Sequence, residues 1–324
     1  MILVTGGAGY IGSHTVKHLM QAGYEVVILD NLSQGHREAV LSPHFVQADL
    51  ADQAQVQAVF KQYPIQAVVH FAASALVGES NTDPRKYFNN NTKNTLQLLD
   101  TMLDAGVKSF VFSSTCSVYG DPVYTPIDEE HPLGSINGYA ESKLMSERIL
   151  AWYESAYNLR SVRLRYFNAC GADADGKLGE SHDPETHLIP LTLQVAKGER
   201  ECLNIYGTDY PTPDGTCLRD YIHVDDLADA HVKALQYLEN QANSGTVLNV
   251  GTGRGYSVQE VVAACRRITG HAIPAKITER RPGDPSELVA KADKIRTVLG
   301  WEPKHSGLDN IIQSAWQWEQ NRRF

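Results

Sequence analysis

The chain has 324 residues, 42% of them hydrophobic, and a formal net charge of −9. That composition can bury one large core or two coupled ones, and its acidity argues against nucleic acid, whose phosphate backbone needs a basic face. No run approaches the ~18 apolar residues of a membrane span, so no membrane partner is expected. The five cysteines lack C-x-x-C spacing, which predicts free thiols in a reducing compartment and no metal site.

Met1 leads directly into Ile2-Leu3-Val4, a short apolar run that reads as a buried parallel strand. This leaves no room for a signal peptide, and a cytoplasmic location is expected. Glycines follow at once, in Thr5-Gly6-Gly7-Ala8-Gly9-Tyr10-Ile11-Gly12, and then a helical pattern through Val16 and Leu19 that Gly23 is placed to end. Small residues in such a turn let the backbone approach a pyrophosphate, and the helix start offers free N–H groups. Two spacings fit: Gly7, Gly9 and Gly12 as G-x-G-x-x-G, or Gly6, Gly9 and Gly12 as G-x-x-G-x-x-G. A second strand, Glu25 to Leu29, ends at Asp30. An acidic residue there binds adenosine ribose hydroxyls and repels a 2′-phosphate, which favours NAD over NADP.

Further strand-like runs at Phe45–Gln47, Gln66–Phe71, Ser109–Phe112 and Ser161–Arg165 alternate with helical stretches near 52–62, 84–104 and 138–157. Alternation of this kind predicts an α/β fold with a doubly wound parallel sheet, its ligands beyond the carboxyl ends of the strands. Phe71-Ala72-Ala73-Ser74 and Phe112-Ser113-Ser114-Thr115 occupy such ends. Segment 169–218 is rich in Gly, Pro and Asp, with little regular pattern, as expected of a ligand-contacting loop region. Helical patterns return near 225–239, 257–269, 291–299 and 307–322, with a strand at Val247–Val250.

Tyr139 and Lys143 stand one turn apart on one helix face. A free tyrosine titrates near ~10. A nearby ammonium, together with the positive charge of oxidised nicotinamide, would favour the phenolate and bring it towards general acid–base work. Thr115, at the end of the preceding strand, is placed to relay or orient the proton. Alone, Y-x-x-x-K is most often a solvated pair; behind a dinucleotide turn it reads as catalytic.

With these residues in view, the chain resembles the extended short-chain dehydrogenase/reductases and, within them, the UDP-glucose 4-epimerases. The resemblance runs nearly end to end. Its specific pieces are Thr5–His14, Val77–Ser80, Tyr139–Lys143, Arg165-Tyr166-Phe167-Asn168, Arg219–Val224 and Arg280-Arg281-Pro282-Gly283-Asp284. It implies a Rossmann-type NAD-binding domain over 1–168 and a smaller C-terminal α/β UDP-sugar domain over 169–324, with segments near 219–250 returning to the first. Besides Gly6, Gly9 and Gly12, it implies NAD contacts from Tyr10, Ile11, Asp30, Asn31, Asp49, Leu50, Phe71, Ala72, Ala73, Asn90, Thr115, Tyr139, Lys143 and Phe167. UDP-sugar contacts would come from Asn168, His187, Leu188, Tyr206, Arg219, Arg281 and Asp284, with Thr115 and Tyr139 at the sugar. Two arginines suit a diphosphate that an acidic protein must meet locally.

The implied reaction inverts the C4 centre of UDP-glucose or UDP-galactose without net redox. Tyr139 takes the 4-hydroxyl proton, hydride passes to NAD, and the 4-ketosugar turns about its diphosphate before both return. The resemblance also implies a homodimer through the helices near 84–104 and 138–157.

Three positions depart from the pattern. Ala75 stands where some members carry lysine, Thr115 where many carry serine, and Leu288 at the sugar-pocket gate, between the bulky and small residues found elsewhere. Leu288 implies a UDP-glucose/UDP-galactose preference with weak N-acetylhexosamine activity. The alternatives are a related epimerase of UDP-N-acetylhexosamines or UDP-uronates, a sugar-nucleotide dehydratase, and a non-catalytic NAD sensor. Cys116-Ser117 after Thr115 offers no acidic pair for dehydration.

Overall fold

The computed structural model describes residues 1–240, 244–281 and 283–324; Pro282 of the arginine-rich motif lies outside them. Seven parallel strands form the main sheet. In spatial order they are Thr246–Val250, Arg160–Tyr166, Ser109–Thr115, Ala67–His70, Ile2–Thr5, Val26–Asp30 and His44–Gln47. The order reverses between Ile2–Thr5 and Ala67–His70, so the crevice that binds ligands in such sheets opens there. The glycine turn follows the first of these strands and Phe71-Ala72-Ala73 the second.

The apolar runs are continuous because both faces of the sheet are covered. Ile2, Val4, Ile28 and Val69 face Val16 and Leu19 of helix Tyr10–Gln21 and Leu227 and Leu235 of helix Val224–Glu239. The intervening Leu3, Val27, Leu29 and Val68 face Val56, Leu98 and Leu150 on the other side. A separate core joins helices Leu188–Ala196, Val258–Thr269 and Leu308–Gln320 to strand Leu203–Tyr206.

Two expectations are corrected. The stretch 84–104 is not one regular helix: Pro84–Tyr87 runs into a π-helical segment, Phe88–Lys93, and then Asn94–Asp104. The wide turn turns Asn91 inward, where its side chain bonds the Ser74 backbone at both N–H and carbonyl, 2.8 and 2.9 Å, and the Ser142 hydroxyl at 2.9 Å. Segment 169–218 holds helix Leu188–Ala196 and strand Leu203–Tyr206. A small sheet, not foreseen, pairs Leu218–His223 with Asn168–Cys170, Gly255–Ser257 and Glu287–Leu288.

Candidate active site

Gly6 has φ +73°, a conformation that favours glycine. A Cβ on Gly12 would lie 2.1 Å from the Gly6 carbonyl oxygen, and the Gly9 N–H donates to that same oxygen at 3.2 Å. Gly6, Gly9 and Gly12 are therefore the interlocked set, as in the second spacing. Helix Tyr10–Gln21 has Gly9 at its N-cap and no side-chain cap, so the N–H groups of Tyr10 and Ile11 face the crevice end without a capping partner. The Tyr10 hydroxyl donates to the Gly171 carbonyl at 2.6 Å.

Asp30 closes its strand with its carboxylate buried. It accepts N–H bonds from Ala8 at 3.0 Å and Leu32 at 2.8 Å, and burial raises its pKa against those two donors. Each oxygen carries one such bond, leaving lone pairs for ribose hydroxyls. Asn31 donates to Asp49 at 2.8 Å beside buried Leu50, so these three are brought to the same end of the sheet. Phe71, Ala72 and Ala73 line the switch point, with Ala72 against Gly6. Asn90 donates to the Ser74 hydroxyl at 3.0 Å, and Ala75 is exposed.

Helix Gly138–Tyr157 starts at Asn137, whose side chain accepts the Ala140 N–H at 2.8 Å. That cap sets Tyr139 in the first turn, hydrogen-bonded to Thr115. Thr115 itself is oriented by Ser117, whose N–H and hydroxyl lie 3.2 Å from its Oγ1. Lys143 is turned onto the Ser113 carbonyl at 2.8 Å, with Nζ 5.0 Å from the centre of the Phe112 ring.

Burial dominates both titrations. It pushes Tyr139 up to about 12, against the Thr115 bond that pulls it down. It brings Lys143 down to about 7, against the Glu147 charge that raises it. Burial, and not the Lys143 ammonium, thus governs the phenol in this chain, so a phenolate needs a further positive charge such as an oxidised nicotinamide would bring.

Beneath these groups lies an ionic network that the sequence reading passed over. Glu147 accepts from Arg165 Nε at 2.9 Å and Nη2 at 2.5 Å and from the Ser114 hydroxyl. Arg165 reaches the Tyr119 hydroxyl at 3.1 Å, which donates to Asn249 at 2.6 Å. The signal was present: charges in the middle of a buried strand, Arg-Ser-Val-Arg-Leu-Arg-Tyr, require buried partners.

The small sheet holds Asn168, Arg219 and Leu288 of the expected residues, while Tyr206 lies on a strand of another sheet and His187, Leu188, Arg281 and Asp284 lie outside the strands. Asn168 pairs with Tyr221, and Leu288 with Arg219. Arg219 is ion-paired with Asp284, and the Arg281 guanidinium sits 3.9 Å from the centre of the Tyr206 ring. Leu288 packs on a cluster containing Cys116, Leu144 and Phe167, which neighbour Thr115, Lys143 and Asn168 in the chain. His187 precedes Leu188 at the N-cap of helix Leu188–Ala196, with its Nδ1 directed at Glu180 and Glu185. Asp220 is buried under the N–H groups of Thr252, Gly253 and Ala290, and His223 caps the following helix.

The model for the NAD dependent epimerase/dehydratase family matches residues 2–251. The UDP-glucose 4-epimerase of Halalkalibacterium halodurans is 50% identical over 98% of this chain and 95% of that one. Among solved structures, the UDP-glucose 4-epimerase from Brucella ovis in complex with NAD is 50% identical, with a TM-score of 0.95 over 97% of each chain. The UDP-glucose 4-epimerase from Bifidobacterium longum in complex with NAD+ and UDP is 40% identical, with a TM-score of 0.93 over 99% of this chain and 98% of that one.

Proposed function

The chain belongs to the NAD dependent epimerase/dehydratase family, and from that premise we infer that it interconverts UDP-glucose and UDP-galactose by inverting the sugar's C4, with NAD as its resident cofactor. The observation that carries this reading is the meeting of Thr115, Tyr139 and Lys143 at one strand end, beside a glycine cradle that a Cβ would fill.

The residues present fit NAD. Gly6, Gly9, Gly12, Tyr10 and Ile11 would hold the pyrophosphate, Asp30 and Asn31 the adenosine ribose, and Asp49 and Leu50 the adenine. Phe71, Ala72, Ala73, Asn90, Lys143 and Phe167 would line the path to the nicotinamide. When bound, NAD supplies reversible acceptance of a hydride from the sugar carbon. Tyr139 takes the 4-hydroxyl proton as the hydride leaves and returns it afterwards. Thr115 holds the phenol towards the sugar, and Lys143 holds positive charge beneath it.

The sugar must turn over while its nucleotide stays fixed. That division fits the anchors: Arg219 and Arg281 for the diphosphate, Asp284 for the uridine ribose, with Asn168, His187, Leu188 and Tyr206 around them. We assign residues 1–168 and the returning segment 219–250 to the NAD side and the rest of 169–324 to the UDP-sugar side. Segment 219–250 supplies the sheet-edge strand Thr246–Val250.

Among the described residues no helix is long and apolar enough to cross a membrane. Free cysteines fit a cytoplasmic location. We place homodimer formation on helices Asn94–Asp104 and Gly138–Tyr157. Leu99, Leu144 and Leu150 there belong to the core, whereas Met145 and Trp152 stand 38% and 75% exposed. Sedimentation velocity showing only monomer would remove that assignment.

The test of function is a coupled assay of purified protein with UDP-galactose and no added cofactor. Formation of UDP-glucose is expected. No product with or without added NAD, while NAD is shown to be bound, would overturn the reading. In the same assay Leu288 should keep UDP-N-acetylglucosamine turnover at least ~10-fold lower, the scale set by a tight apolar contact; comparable rates would sink that preference.

Gly12→Ala puts a methyl 2.1 Å from a backbone oxygen. Neither group is at the end of a flexible side chain, so the turn must open. The NAD content of the purified variant should fall by on the order of tenfold or more, a loss of about 1.4 kcal/mol in binding. Full NAD occupancy would show that the turn is not the cradle.

A further inference from the structure

We propose that Glu180, His182, Glu185 and His187 form a binding site for one divalent cation of the zinc type. Each presents one donor atom, and these atoms all lie within 4.8 Å of one another. Their separations are those of ligands around a common centre. Nδ1 of His182 lies 3.3 Å from Oε1 of Glu180 and 3.4 Å from Oε2 of Glu185. A tetrahedral ion with bonds of about 2.1 Å sets its ligands roughly 3.4 Å apart. One edge is shorter, 2.5 Å from Nδ1 of His187 to Oε1 of Glu180. That is a hydrogen bond, which opens when the nitrogen gives up its proton to a metal.

Charge and chemistry agree with the geometry. The Glu180 and Glu185 side chains are only 6% and 7% exposed. Two carboxylates so enclosed need two positive charges nearby, and one divalent ion between neutral imidazoles supplies both. Two nitrogens and two carboxylate oxygens suit Zn²⁺ better than Mg²⁺ or Ca²⁺, which take oxygen alone.

The ligands are held from outside. Oε1 of Glu185 accepts the N–H groups of Thr186 and His187 at 2.6 and 2.8 Å, leaving Oε2 directed at the cluster. The Glu180 carbonyl accepts Trp318 Nε1 at 2.9 Å.

The position gives the ion a structural role. The Glu180–His187 loop leads into helix Leu188–Ala196, and the His182 ring meets the Tyr10 ring edge-on at 6.2 Å between centres. The neighbouring Ser181 bonds Arg322 at 2.6 Å and His36 at 3.2 Å. A cation here would close the Glu180–His187 loop on itself and fix the His182 ring against Tyr10 at the start of the dinucleotide-binding helix. Coordination through Nδ1 leaves Nε2 of His187 for the nucleotide.

The full chain, stripped with dipicolinate and then titrated with ZnCl₂ against a chromogenic chelator, should bind about one Zn²⁺ with sub-micromolar affinity. His182→Ala and Glu185→Gln should each weaken binding by ~100-fold or more, since loss of an outer-shell partner alone costs 10–100-fold. Zinc should raise the Tm of the parent and not of the variants, and Co²⁺ should give the intense visible bands of a tetrahedral site. If His182→Ala does not fold, Glu185→Gln and the chelator-dependent Tm of the parent decide. Less than ~0.1 Zn²⁺ per parent chain at micromolar metal, equal affinity in the folded variants, or an octahedral Co²⁺ spectrum would overturn the proposal.

Discussion

Replacing Tyr139 with phenylalanine should lower kcat by about 10²- to 10⁴-fold, the usual contribution of a positioned acid–base group, while NAD content and Tm stay at the parent's values. The side chain is half-buried in the first turn of a capped helix, and phenylalanine keeps its ring packing. What disappears is the hydroxyl bonded to Thr115. A catalytic residue therefore separates from a structural one by where the loss appears. A fall in Tm or NAD content equal to the fall in kcat would place Tyr139 in the scaffold. Rates within tenfold of the parent would end the assignment of Tyr139 as the acid–base group.

The pH profile adds a second reading of the same group. Burial raises Tyr139, and the Thr115 bond lowers it. The reaction needs the deprotonated phenol as base, so activity rises as pH climbs through its pKa. Thr115→Val removes the lowering influence, and the acid limb of kcat/KM should move to higher pH. A limb that stays in place, or moves down, would mean that Thr115 only shapes the pocket. The profile belongs to the NAD-bound enzyme, where the nicotinamide charge acts on the same phenol.

Much of this was legible in the chain, and the reasons are physical. Parallel strands covered on both faces must be apolar throughout, so Ile-Leu-Val-Thr and Val-Val-Ile-Leu-Asp announce themselves. The glycine turn is legible because three backbones meet where a Cβ cannot fit. The small sheet was hidden. Leu218–His223 reads Leu-Arg-Asp-Tyr-Ile-His, charged at its centre, yet it is almost wholly buried because Asp220 is met by backbone N–H groups from loops distant in sequence and Arg219 by Asp284. Glu287–Leu288 is too short to show a period. The glutamate–histidine cluster escaped notice because its members are spaced irregularly in a loop, and only the fold of Glu180–His187 brings the donor atoms together.

Arg165→Met should be among the most destabilising single changes in the chain. It would leave Glu147, whose side chain is 4% exposed, without its cationic partner beneath the catalytic helix. Breaking a buried pair from one side costs about 3–5 kcal/mol, because the desolvated charge that remains is uncompensated. Tm should drop by on the order of 5–10 °C in a chain of this size. The double variant Arg165→Met, Glu147→Leu removes both charges and should recover most of that loss, since the penalty lies in the orphaned charge and not in the missing attraction. It also isolates what the pair does for chemistry. Glu147 raises the proton affinity of Lys143 against the burial that, on balance, brings it down to about 7. Without Glu147 that value falls further, the lysine loses its proton at lower pH, and the alkaline limb of kcat should shift downward. Recovery of Tm with an unmoved alkaline limb would assign the pair to stability alone; recovery of Tm with a shifted limb would make Glu147 the residue that keeps Lys143 charged.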